Sequence, residues 1–401
     1  MNALGHALWL LELPLLGAVA AFTGYLVLLT AAALAARRPA APPGPPRTRF
    51  GVLVPAHDEA ATLPTLLGVL AGLEYPRALY EVIVVADHCT DETAQLARRA
   101  GARVLERTEG RRGGKGFALG WAFAALVPER RHDAFVVLDA DSRPDRHLLT
   151  ALDGALRRGA RVAQAYCSVA NPGESWRTAL MAADLALVHY LRPLGREAVG
   201  ASAGLQGNGS CLSAQALRRV RWETRSVAED QEYHLRLVLH GLRVAFVPEA
   251  QVRTVMEPTL GGADGQELRW EGGRLAVARA QLPALLAGAW RTRSWPCLEA
   301  ALDLTTPPLA LLGAGTALAA LVHGVAWLAG APGAPAVLWG MLVAGQASYV
   351  VGGCALARVP ARAYLALALF APLYAIHKVW ICARVGWRGT AVWIPTPRRA
   401  G

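Results

Sequence analysis

The sequence predicts an α/β domain, a sheet with helices on both faces, flanked by transmembrane helices. Three observations carry that reading. Short apolar runs alternate with segments of helical spacing between residues 50 and 141. Acidic residues stand at the ends of the β-rich runs. Apolar stretches of at least the roughly 20 residues that a membrane-crossing helix needs lie at both ends of the chain. At 401 residues the chain has room for two or three units.

Residues 7–36 form the first apolar helix. It is too long for a signal peptide and has no basic residue before it, so it reads as a retained membrane helix. "ARRPAAPPGPPRTR" follows as a proline-rich linker, completing a first unit, 1–48. Its arginines mark the cytoplasmic side and place the N-terminus outside. "FGVLVPA" and "YEVIVVAD" read as strands, and between them Leu63, Leu66, Leu67 and Leu70 recur at helical spacing. "DETAQLARRAGA" reads as a helix, "RVLER" as a strand, "GFALGWAFAAL" as a helix and "AFVVLDAD" as a strand. Such alternation packs as a parallel sheet with helices on both faces. Ligands bind such sheets beyond the carboxyl ends of the strands. That rule gathers Asp87, Asp139 and Asp141 at one rim of an α/β domain spanning 49–275.

Residues 276–304 mix Trp, Arg and Leu, as helices lying on a membrane surface do. A C-terminal region, 305–401, holds apolar segments at 305–329, 335–357 and 361–383 and ends in a basic tail. The arginines of "ARVPAR" favour an inside loop. Four full crossings leave the arginine-rich tail outside, against the positive-inside tendency. Either that tendency fails here, or the last segment, which contains His377 and Lys378, does not span.

Composition excludes several classes. Hydrophobic residues make up 54% and charged residues 18%, with a formal net charge of +11. Basic and aromatic residues do not interleave and no nucleic-acid-binding motif occurs, so nucleic acid is not an expected partner. Arginines beside the apolar segments suit anionic lipid instead. Lysine occurs only at positions 115 and 378. The six cysteines are scattered without a CxxC, which points away from a zinc site or a disulfide framework.

The chemistry concentrates in a few motifs. In "FVVLDADSRPD" a buried strand runs into Asp139 and Asp141, whose charges repel. A divalent cation such as Mg²⁺ or Mn²⁺ relieves such a pair, since hard oxygen ligands suit it. A bare D-x-D is more often a capping Asp with a solvated neighbour. A calcium loop is excluded by Arg143 at the third ligand position and by the missing glycine. Asp91 by itself is a helix-start residue. "GRRGGKGFAL" sets Arg111, Arg112 and Lys115 in a glycine-rich turn that opens a helix, a place that favours an anion but lacks Walker spacing. Glu229 and Asp230 enter a helix, where alone they read as N-terminal charge. Gln266, Arg269 and Trp270 form a Q-x-x-R-W on one helical face. That face offers an amide, a guanidinium fork for phosphate and an indole that stacks on a sugar. By itself the segment also fits an amphipathic surface helix.

Taken in order, "VPAHDEA", "VVADHCTD", "RRGGKGFAL", "VVLDADS", "LQGNGSCLS", "AEDQEYHLRL" and "QELRW" resemble the membrane-integrated glycosyltransferases of family 2, a group that includes cellulose, hyaluronan and poly-N-acetylglucosamine synthases and simpler lipid glycosyltransferases. The resemblance covers roughly residues 50–275. It implies a GT-A fold with a Rossmann-like mixed sheet, a nucleotide-sugar donor such as a UDP-sugar, and inverting transfer to a membrane lipid or glycan. It implies residence in the inner membrane with the catalytic domain cytoplasmic. By the same resemblance Asp87 contacts the nucleoside, Asp139 the nucleotide, and Asp141 the Mg²⁺ or Mn²⁺. Asp230 is the general base, Gln266 and Arg269 hold the diphosphate, Trp270 floors the acceptor site, and Lys115 faces the donor. Asp58, His88 and Ala228 depart from the residues usual in the family, which bears on donor contacts. Q-x-x-R-W leans to a processive synthase, and the modest helix count to a single-transfer enzyme. Outside the class, an aspartate-nucleophile phosphatase and a non-catalytic scaffold are the rivals. "DADSR" lacks the residue after the D-x-D that the phosphatase needs, and a scaffold leaves the acid, base and metal positions unexplained.

Overall fold

A computed structural model describes residues 3–37, 44–110 and 113–388. Helix α1 (Ala3–Ala35) precedes β1 (Phe50–Ala56), α2 (Leu63–Ala71), a 3₁₀ turn (Arg77–Leu79) and β2 (Tyr80–Asp87). Then come α3 (Thr93–Arg99), β3 (Arg103–Arg107), α4 (Lys115–Glu129), β4 (Ala134–Val137) and the two-residue β5 (Arg143–Pro144). Next are α5 (Leu148–Arg157), β6 (Val162–Val169), α6 (Trp176–Ala186), a π-turn (Leu187–Leu191) and α7 (Arg192–Ala198). The domain continues with β7 (Ser210–Ser213), α8 (Ala214–Arg219), α9 (Glu229–Leu239) and β8 (Val244–Thr254). Five helices follow: α10 (Leu260–Thr292), α11 (Trp295–Thr305), α12 (Leu309–Leu328), α13 (Gly333–Leu356) and α14 (Ala361–Arg388). Arg111, Arg112 and the tail beyond 388 lie outside the described residues.

The eight strands form one sheet in the order β3-β2-β1-β4-β7-β6-β8-β5. β1 lies between β2 and β4 and pairs parallel with both, Phe50 opposite Tyr80 and Ala134. The sheet is mixed: the alternating strands β1 to β4 pair parallel, and β7 runs antiparallel to β4 and β6. β7 is only four residues long and Ser210, Cys211 and Leu212 are buried, so it lacks the alternation that marks an antiparallel strand. β4 stops at Val137, not at the carboxylates. The Leu138 N–H still donates to the Leu53 carbonyl at 2.9 Å, so Asp139 begins the loop beyond.

Alternation along the strands feeds two cores. Val52, Val54, Val82, Val84 and Val136 meet Leu63, Leu66 and Leu70 of α2 on one face. Leu53, Ile83, Val85 and Phe135 meet Leu119, Phe123, Trp222 and Tyr233 on the other. Helices therefore cover both faces, as the sequence predicts.

Four helices among the described residues are long and apolar enough to cross a bilayer: Glu12–Ala35 of α1, α12, α13 and Ala361–Gly386 of α14. α1, α13 and α14 dock on the segment from α6 to α7, and α12 packs on α13 and α14. Gly195 of α7 lets the Leu29 backbone of α1 approach, and Gly353 of α13 packs on Leu187 and Leu191. α10 runs without a break through residue 275, where the sequence places a boundary. A buried ionic cluster ties α1, α7 and α11 together. Arg196 donates to both oxygens of Glu299 at 2.7 and 2.9 Å and to Asp303 at 3.0 Å, and the Tyr25 hydroxyl donates to Glu299 at 2.7 Å.

Glu299 is fully buried, so losing its partner leaves an uncompensated charge. Arg196→Leu is expected to cost about 3–5 kcal/mol, and Arg196→Leu with Glu299→Leu to recover most of it. Thermal unfolding in detergent measures both; a single variant as stable as wild type contradicts the cluster's role.

Candidate active site

The site forms where α4, the loop after β4, the turn before β7 and the first turn of α9 meet. Lys115 opens α4, and its ammonium donates to Asp139 Oδ1 at 2.5 Å and to the Gly207 carbonyl at 3.0 Å. Gly207 and Gly209 adopt left-handed φ of 72° and 69°. Gly207 needs its missing side chain: a Cβ there would stand 3.1 Å from Asp230 Oδ2 and 3.4 Å from Lys115 Nζ. Asp230 and Glu229 open α9, where exposed N–H groups favour negative charge. Glu229 backs onto Gly116, at which a Cβ would meet the Glu229 Cβ at 2.8 Å.

One ammonium thus faces three carboxylates: Asp139, Glu229 and Asp230. Burial opposes the Lys115 charge, but Asp139 and Glu229 outweigh it and raise its pKa. Burial raises the Asp230 pKa, against an N–H from Gln231 and the Lys115 charge. Burial and then repulsion by Asp230 push Glu229 up to about 7. The side chains of Lys115 and Asp139 stay 23% and 30% exposed, enough to meet a ligand.

The turn carrying Gly207 is held from beneath. Buried Gln164 donates to the Asn208 carbonyl at 2.7 Å and accepts from Ser210 Oγ at 2.8 Å and the Gln206 N–H at 3.1 Å. Asn208 Oδ1 accepts from Ser142 Oγ at 3.1 Å and the Asp139 N–H at 3.3 Å, binding the D-x-D loop to the same turn. Asp141 is half-buried two residues beyond Asp139.

Asp87 ends β2, two strands from β4 and so about 10 Å away by strand spacing. Arg107 at the end of β3 donates to its Oδ1, and His88 Nδ1 stands 2.8 Å from the same atom. Gln266, Arg269 and Trp270 lie together on α10, and Trp270 is 39% exposed. Gly273, one turn on from Arg269, abuts Ala228, at which a Cβ would stand 3.0 Å from the Ala228 Cβ. The Q-x-x-R-W face therefore reaches the residue before Glu229. Lys115, Asp139 and Asp230 are brought into one cluster; Asp87 lies two strands away on the same rim, and α10 touches the residue before Glu229 through Gly273.

Sequence reasoning missed Arg107, Gln164 and Asn208. Arg107 closes "RVLER", and only its place at the end of the strand beside Asp87 could have flagged it.

A second acidic cluster, Asp58, Cys89 and Asp91, brings candidate ligand atoms within 4.8 Å of one another. Its oxygens are already used. Asp58 accepts from the Thr90 and Asp91 N–H groups and Thr90 Oγ1, while Asp91 accepts from the Thr93 and Ala60 N–H groups and Thr93 Oγ1. It fastens the loops after β1 and β2. The Lys115 cluster is different in kind: its hard oxygen donors outnumber its cation, which fits a divalent ion and a diphosphate.

A mixed sheet with acidic loops at its carboxyl rim and flanking apolar helices defines a class, and comparison identifies it. The pattern of the family described as "Glycosyltransferase like family 2" matches residues 45–273, and the chain belongs to that family. It is 30% identical over 209 residues to a beta-monoglucosyldiacylglycerol synthase of a Nostoc species, covering 50% of this chain and 44% of that one. It is 25% identical over 251 residues to the UDP-forming cellulose synthase 1 catalytic subunit of Komagataeibacter xylinus, covering 59% and 32%. The chain spans less than half the length of either relative. A mannosyltransferase of Pyrobaculum calidifontis, solved with GDP-Man and Mn²⁺, superposes with a TM-score of 0.53 at 20% identity, covering 86% of this chain and 99% of that one. That likeness shows the GT-A fold.

Gly207→Ala forces a side chain into left-handed backbone and toward Asp230. It is expected to lower stability by about 1–2 kcal/mol and to weaken nucleotide binding. Denaturant titration and calorimetry check this; unchanged values in both contradict it.

Proposed function

We propose that the chain is an inverting membrane glycosyltransferase that moves a sugar from a nucleotide-sugar donor, such as a UDP-sugar, to a lipid or glycan acceptor. The catalytic domain faces the cytoplasm at the inner membrane. The observation that carries this reading is Asp230 beside Lys115 and Asp139 at the rim of the sheet.

The residues divide the work. Asp87, fixed by Arg107, borders the nucleoside. Asp139 and Lys115 face the donor phosphates. Asp141 and Asp139 would hold a Mg²⁺ or Mn²⁺, which when bound neutralises charge on the diphosphate. Arg269 and Gln266 on α10 bond the phosphate oxygens as the leaving group gains charge. Trp270, partly exposed, offers the acceptor sugar or lipid headgroup an apolar floor.

A sugar hydroxyl is a poor nucleophile. Asp230 takes its proton as the new bond forms on the face opposite the leaving group, which inverts the anomeric carbon. Such proton transfer contributes roughly 10²–10⁴-fold. Burial keeps Asp230 more basic than a solvated carboxylate, which suits that task.

Asp230→Asn is expected to abolish transfer while nucleotide binding survives. Labelled-sugar transfer by the purified protein in lipid, alongside calorimetry, tests it; persisting transfer removes Asp230 from the base role. The same assay sizes the product, a ladder for a polymer or one glycolipid for a single transfer.

The base must be ionised to act. Its pKa is raised, so activity falls as pH drops, at a higher pH than for a solvated Asp. Lys115→Met removes the nearby charge that holds the Asp230 pKa down, so the acid limb moves to higher pH. A kcat/KM profile reads this; a limb that stays or moves downward contradicts it.

A further inference from the structure

α10 carries two opposed faces. Gln266, Arg269 and Gly273 share the one that reaches Ala228. Asp264, Glu267 and Glu271 recur at spacings of three and four on the other. Every carboxylate on that second face meets a basic side chain from another element. Arg177 of α6 donates to Glu267 Oε1 at 3.0 Å, and both side chains are almost fully buried. Lys378 of α14 lies 2.9 Å from Glu271 Oε1 and 3.4 Å from Glu267 Oε2. His377 Nε2 stands 2.9 Å from Asp264 Oδ1, and the Tyr374 hydroxyl reaches both Glu267 oxygens at 3.4 Å. On the outward side of α14, Leu365, Leu369, Leu373 and Ile376 are exposed. His377 and Lys378, which look misplaced in an apolar segment, are thus turned toward α10.

We infer that Lys378 and Arg177 are positioning residues: by gripping Glu267 and Glu271 they fix the roll of α10 and so aim Arg269 and Gln266 at the donor phosphates. This rests on the proposed phosphate-binding role of α10. A roll of about 20° moves a group roughly 6 Å from the helix axis by roughly 2 Å. A misplacement of even 1 Å costs a reaction site about 10²-fold. Lysine suits the place, because a compact ammonium bridges two carboxylates one turn apart where a planar guanidinium would favour one. Since α14 is an apolar helix able to sit in lipid, the grip also makes the membrane part of the site's geometry.

The test is a double-mutant cycle on the full chain in lipid nanodiscs, reading the affinity for UDP and GDP in Mn²⁺ by calorimetry. Arg269→Ala is expected to weaken nucleotide binding about tenfold, and Lys378→Met by a similar factor. The double variant is expected to lose far less than the product of the two factors, because Lys378 acts through Arg269 and Gln266, and only Gln266 is left to be misaimed. Lys378→Arg, which keeps the charge but favours one carboxylate, should weaken binding less than Lys378→Met. Wild-type affinity in Lys378→Met, or losses that multiply in the double variant, overturns the inference. Wild-type affinity in Arg269→Ala overturns the phosphate-binding reading itself, without any reference to Lys378. Should Lys378→Met not fold, Glu271→Gln replaces it in the same cycle with the same expected outcomes.

Discussion

The contact between the Lys115 ammonium and Asp139 organises the site. Three carboxylates converge where the sheet ends, and two like charges about 4 Å apart repel by about 4 kcal/mol at the effective dielectric of a protein surface. The ammonium offsets part of that repulsion and pins the start of α4 to the loop after β4 and to the Gly207 carbonyl. The rest follows from keeping these groups close. Gly207 and Gly209 bend where a side chain would collide, Gln164 and Asn208 bond the turn from below, and Glu229 packs against a glycine of α4. Negative charge remains in excess, so on the proposed function a divalent cation is what lets a phosphate-bearing donor approach.

Much of this could be read from the chain alone, for identifiable reasons. β1 and β2 are continuous apolar runs buried on both faces, so their ends, and Asp87 with them, stand out. Glu229 and Asp230 are legible because a helix start concentrates acidic residues, and the Q-x-x-R-W because its spacing matches one helical face. Asn208 and Gln164 are not, since their work is to bond backbone that only tertiary folding brings near. Arg107 hid in a charged edge strand where solvation is the ordinary reading of an arginine. β7 was missed because four residues between a glycine-bearing turn and the start of α8 leave no period to detect. On α10 the eye settles on Gln266 and Arg269; Glu267 and Glu271 look like solvated charges until α6 and α14 are packed against them.

The apolar helices are joined to the domain by ion pairs as well as by apolar packing. Arg196 with Glu299 and Asp303 ties α7 to α11 and, through Tyr25, to α1. Arg177 and Lys378 do the same for α6, α10 and α14. Apolar contact alone tolerates sliding and rolling of one helix on another. A buried charge tolerates one partner geometry, so these clusters set register at some cost in desolvation. A transferase that takes its donor from water and its acceptor from lipid needs that register, because donor phosphates and acceptor hydroxyl must meet within one bond length.

The central claim is that the carboxylates at the sheet rim and Lys115 form one site for a divalent ion and a nucleoside diphosphate. Electron paramagnetic resonance of Mn²⁺ titrated into the full chain in nanodiscs, with and without UDP or GDP, tests it most directly. The account predicts one tightly bound Mn²⁺ per chain when a nucleoside diphosphate is present, lost in Asp141→Asn. Mn²⁺ bound equally well by Asp141→Asn, or no nucleotide-dependent binding in the wild type, would contradict it.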